Sequence, residues 1–144
     1  MQNKERFFSK VLKTFFLLFI VLSIFYFSWI PDTSLHSENY LPVCVIDWSN
    51  QNYNLRTAVP FIFLGFLLET KLLLHPTSTT QFSLMTIGIR HLGISFLVVV
   101  LAELGQFFCN RHPDILDVFF GLIGSIAGGL LYYLFRKTIQ FIFT

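Results

Sequence analysis

Residues 103–124 read ELGQFFCNRHPDILDVFFGLIG, two apolar stretches that turn around a knot of charge. Glu103 and Gln106 stand near the end of one lipid-compatible segment, and Arg111, Asp114 and Asp117 open the next. An ionised residue at the centre of a membrane helix costs about 2.5–3.5 kcal/mol on insertion scales, so a cluster of this kind points to function. The rest of the chain has the same character. Of 144 residues, 54% are hydrophobic, 12% are charged and 19 are phenylalanine. A soluble domain of that composition would lack the polar residues to cover its surface. The net charge of +2 carries no nucleic-acid signature, and no cofactor-binding motif is present.

The first thirty residues imitate a signal peptide, with lysines and an arginine ahead of an apolar run. That run, residues 15–30, is aromatic and β-branched and ends without a small-x-small cleavage site, so it reads as a retained anchor. Crossing about 30 Å of hydrocarbon takes roughly 20 helical residues. Four segments meet that length: 11–30, 57–74 (the shortest), 90–108 and 115–135. The expected architecture is an all-α polytopic membrane protein, a bundle of four transmembrane helices forming one domain over residues 1–144.

Positive residues set the direction of such a bundle. Lys4, Arg6, Lys10, Lys13, Lys71, Arg90, Arg136 and Lys137 fall on one side, against Arg56 and Arg111 on the other. Both termini are therefore expected in the cytoplasm, with the polar knot at the outer leaflet. Tyr26, Trp29 and Trp48 suit an aromatic belt at that interface. Cys44 and Cys109 would both lie on the outer face, where a disulfide between them could persist; two unpaired thiols are the alternative.

At 100° per residue, Glu103, Gln106 and Asn110 share an arc of the third helix. Asp114, Asp117, Gly121, Gly124, Ser125 and Gly128 form a stripe on the fourth, polar at its outer end and small below. Packing stripe against arc would place Arg111 between the carboxylates. Pro113 suits the first turn of the last helix, and Asp114 suits its positive end. Three readings of the cluster stay open. It is a neutralised network, with Arg111 paired to Asp114 or Asp117 and Glu103 protonated or bonded to Gln106. It is a site for a polar or charged group, with Glu103, Gln106, Arg111, Asp114 and Asp117 as ligand-binding residues. Or it is a metal site adding His112 to Glu103, Asp114 and Asp117, whose spacing matches no specific motif. Elsewhere, Glu69 is expected to pair with Lys71 or Arg90. His36 and His75 read as solvated loop residues, and His91 needs no special role. Gly65 serves close packing.

The pattern Glu103-x-x-Gln106, Arg111, Asp114, Asp117-Val-Phe-Phe-Gly-x-x-Gly124 resembles the VanZ-like family of small membrane proteins. Asn54, followed by the run VPFIFLGF at residues 59–66, is similar to that family's second-span signature. The resemblance covers residues 54–128, over half the chain. It implies a four-span bacterial envelope protein, and an association with glycopeptide resistance in the founding member that does not transfer to this chain. Two features depart from the family pattern. Its Asp-Lys and His-Phe pairs near the first span have only Asp32 and His36 as nearest counterparts, and Gly121 stands where the family has Asn.

Two functions from different classes follow. One is a non-catalytic module that binds a membrane lipid, a lipid-linked glycan headgroup or a partner helix at the outer leaflet. The other is an enzyme acting on an outer-leaflet lipid headgroup, with Glu103 as general acid or base, Asp117 as second carboxylate and Arg111 holding a phosphate. Transport ranks below both, because polarity confined to one end offers no continuous path.

Overall fold

The computed structural model describes residues 2–31, 34–35, 40–72 and 81–142, with side chains at 7–8, 10–31, 34–35, 40–70 and 88–142. Asp32, His36 and His75 lie outside the described residues, as do the side chains of Lys4, Arg6 and Lys71. The described elements are helices: α1 (Gln2–Trp29), α2 (Val43–Gln51), α3 (Tyr53–Leu72), α4 (Gln81–Gln106) and α5 (Ile115–Ile142), with a 3-10 turn at Phe107–Cys109.

Three helical stretches are long and apolar enough to cross a membrane: Lys10–Trp29, Gly88–Cys109 and Ile115–Ile142. The second expected span, 57–74, falls on α3, whose 20 residues carry polar groups at both ends, from Asn54, Arg56 and Thr57 to Glu69 and Thr70. What distinguishes α3 is its central position. Phe61, Leu64 and Leu68 recur at helical spacing and meet Ile24 of α1 and Val98, Val99 and Ala102 of α4 in one buried cluster. α1 turns Phe15 and Leu22 outward, at 63% and 66% exposure, as a lipid-facing surface requires.

The other face of α3 meets α5. Gly121, Gly124, Ser125 and Gly128 are all buried, so the small-residue stripe is an interface, but its main partner is α3 and not the α4 arc. The contact is backbone to backbone. A Cβ added at Gly128 would overlap the Ile62 carbonyl oxygen, and one added at Gly65 would overlap that of Ser125. Lipid tails are as apolar as leucine, so burying Leu gains little between membrane helices, and close approach through small residues supplies the dispersion contacts instead.

The turn from α4 to α5 is defined by local chemistry. Asn110 adopts the left-handed conformation (φ 54°, ψ 35°), which asparagine tolerates, and the Arg111 amide donates back to the Gln106 carbonyl at 3.1 Å. Pro113 falls just ahead of α5 and not within its first turn. Asp114 is the N-cap, its Oδ1 accepting the Leu116 amide at 2.9 Å, a bond worth about 0.5–2 kcal/mol at such positions.

Candidate functional site

The centre of the turn is Glu103, 6% exposed. Its Oε1 accepts from Gln106 Nε2 at 2.8 Å, and its Oε2 accepts from the backbone amide of Asp114 at 3.0 Å. Gln106 Nε2 also donates to Ser28 Oγ at 3.2 Å, joining α4 to α1. Asp117, one turn into α5, accepts from the Thr57 hydroxyl of α3 at 2.8 Å. Four elements are thus tied together at one end of the bundle.

Arg111 departs from the expected arrangement between carboxylates. Its Nη1 donates to the carbonyls of Ser28 (2.9 Å) and Ile30 (3.1 Å), at the C-terminal end of α1. Carbonyls there have no intrahelical partner and carry the negative end of the helix dipole, so a guanidinium suits them. Asn110 also departs from the arc it was expected to share: its left-handed backbone turns the chain away, and it is exposed. Asp114 is exposed and occupied as a cap, so its role is to start α5.

Of the expected ligand-binding set, Glu103, Gln106, Arg111 and Asp117 line one cavity of about 60 Å³ between the helices. Arg56 and Thr57 join them from α3. Sequence reading missed both, because they precede the knot, which begins at Glu103, by more than forty residues; the signal available was their place at the outer end of the second expected span. Arg56 stacks over the Tyr53 ring at 4.4 Å, with Nη1 3.5 Å from Ser49 Oγ of α2. Beside this cavity runs a larger groove of about 340 Å³ with an apolar lining from α1, α2 and α3. Phe27, Arg56, Pro60 and Arg111 border both spaces.

The arrangement narrows the chemistry of Glu103. Both carboxylate oxygens receive a donor from the protein itself, which makes the residue the keystone of the turn. Glu103→Ala would leave the Gln106 amide and the Asp114 N–H without that acceptor. A loss of about 2–3 kcal/mol is expected, the usual cost of unsatisfied buried donors, read by denaturant unfolding in mixed micelles. A change within 0.5 kcal/mol, the ordinary range for surface positions, would contradict this role. The metal reading lacks its ligand set: His112 is exposed, and among the described residues no three His, Cys, Asp or Glu side chains gather as ligands. Cys44, exposed on α2, and Cys109, at the end of the 3-10 turn, are both free thiols.

A second polar cluster lies deeper. Glu69 Oε1 is 2.6 Å from His91 Nδ1, His91 Nε2 is 2.8 Å from Ser125 Oγ, and Ser125 Oγ is 2.6 Å from Ser95 Oγ. Among the described side chains Glu69 is partnered by His91, and Arg90 is exposed; the Lys71 side chain, the other expected partner, lies outside the described residues. His91, assigned no role from sequence, is 4% exposed and joins α3, α4 and α5. Ser95 one turn beyond His91, with Ser125 on the buried stripe, was the signal for it. The order serine–histidine–carboxylate is that of a hydrolytic triad. Ser125, however, has no exposed surface and does not line the adjacent cavity, which reaches only Glu69 and His91. A hydroxyl enclosed on all sides meets no substrate, so the cluster locks helices together.

No family model, curated protein or solved structure matches the chain.

Proposed function

We infer that this chain is a VanZ-like multi-pass protein of the bacterial inner membrane, with α3 as a fourth span and both termini in the cytoplasm. Its function is to bind the polar head of a membrane lipid or lipid-linked glycan at the outer leaflet. The observation that carries this reading is the junction of two spaces. A small cavity lined by Gln106, Asp117, Thr57 and two arginines opens beside a long apolar groove. Amphiphiles have that division of polarity, and ligand sites typically combine an apolar wall with a few fixed polar groups. A docked partner helix would bury the groove but leave the polar cavity behind it unused. The positive-residue count and the resemblance at residues 54–128 support the orientation and the family.

Reconstitution with photo-crosslinkable lipid probes tests the reading. Asp117→Ala removes a carboxylate at the cavity wall, and labelling should fall roughly tenfold, as for one lost charge-assisted contact. Equal labelling of the wild type and a folded Asp117→Ala would overturn it.

A further inference from the structure

Resting on that reading, we propose that the bound amphiphile carries a phosphate, held between Arg56 and Arg111, with one hydrocarbon chain along the groove between α1, α2 and α3. Three observations carry the proposal together. Among the described residues, the charged side chains that line the groove are Arg56 and Arg111. The same two guanidiniums border the polar cavity, so they stand where head and chain of an amphiphile meet. Away from that junction the lining is largely apolar, with Phe19, Val45, Val59 and Phe63 among its walls and Ser23 and Ser49 as its hydroxyls.

Charge complementarity selects the anion. A guanidinium offers five N–H donors in a planar fork that matches phosphate oxygens, and it loses less on leaving water than an ammonium does. The two Arg111 bonds to α1 carbonyls engage Nη1 and fix the side chain's orientation. The Tyr53 ring does the same for Arg56. Glu103 and Asp117 line the inner cavity and not the groove, so a hydroxyl or amine attached to the phosphate would face acceptors there. A cavity of about 60 Å³ admits a small substituent of that kind. The groove offers about 340 Å³ to the hydrocarbon chain.

The test uses the full chain in nanodiscs with two diazirine probes of identical acyl chains, one phosphatidylglycerol and one diacylglycerol. The phosphate-bearing probe should label the wild type about tenfold more strongly, with adducts on α1, α2 and α3. Arg56→Gln should remove that preference and Arg56→Lys should retain part of it, which separates loss of charge from loss of fold. Val59→Trp, which fills the groove, should suppress labelling by both probes. Equal labelling by the two probes, suppressed by Val59→Trp, would overturn the phosphate assignment while leaving amphiphile binding intact. Labelling indifferent to Val59→Trp would overturn both. Displacement of the probe by millimolar inorganic phosphate alone would overturn the lipid as the source of the phosphate.

Discussion

Gly128→Leu is expected to separate α5 from α3 and to leave little folded protein after extraction into mild detergent. The reason is steric and lies in the backbone. Even the first carbon of a side chain at Gly128 would overlap the Ile62 carbonyl oxygen and come within 2.8 Å of the Phe66 amide nitrogen. Neither atom can swing aside as a side-chain terminus would. The helices would have to move apart along a contact that also includes Gly65 against Ser125. Overpacking in a tight core typically costs about 1–3 kcal/mol, and overlap with a rigid helix backbone places the cost at or beyond the upper end. Gly128→Ala should show the same defect in milder form. Gly93→Ala is the control: a Cβ there meets nothing within 4 Å. Alanine in a helix interior is favoured over glycine by up to ~1 kcal/mol, so that variant should be neutral or slightly stabilised. Size-exclusion recovery and unfolding midpoints in mixed micelles would rank the three. A Gly128→Leu protein as stable as Gly93→Ala would mean that α3 and α5 are not in contact at this point.

The close α3–α5 contact also explains which parts of the molecule were legible in the sequence. The three long apolar helices were, because lipid-length apolar runs and the Asp114 cap are local signals, whereas the short α2 (Val43–Gln51) was not expected. The Glu103–Gln106 pair was legible too, since three residues along a helix bring side chains to one face. The small stripe announced an interface, but a stripe of glycines does not name its partner. The partner proved to be α3, whose Gly65 answers it across the contact. Arg111 illustrates the same limit. Its charge was expected to seek carboxylates, yet α1 ends beside it and offers unpaired carbonyls that no reading of residues 103–124 could reveal. Arg56 and Thr57 were hidden by sequence distance alone.

The polar lock on the other half of the bundle gives the second large effect, and its bonds run in a chain. The Glu69 carboxylate lies 2.6 Å from His91 Nδ1, His91 Nε2 lies 2.8 Å from Ser125 Oγ, and Ser125 Oγ lies 2.6 Å from Ser95 Oγ. His91 is therefore in the middle, and Ser95 is an end. His91→Ala removes two interhelical bonds and opens a cavity, leaving Ser125 with Ser95 alone. Interhelical bonds in membranes average about 0.6 kcal/mol with a maximum near 1.7, and the cavity adds to them, so a loss of roughly 3 kcal/mol is expected. Ser95→Ala removes one bond while Ser125 keeps His91, and should cost no more than about 1 kcal/mol. Because His91 and Ser125 share a bond, the double variant His91→Ala/Ser125→Ala should lose less than the sum of the single losses. Additive losses, or a Ser95→Ala as damaging as His91→Ala, would contradict a chain with His91 at its middle. A fluorophosphonate probe separates this lock from a working nucleophile. The enclosed Ser125 should remain unlabelled in the folded protein, and covalent labelling abolished by Ser125→Ala would show that the hydroxyl is open to substrate after all.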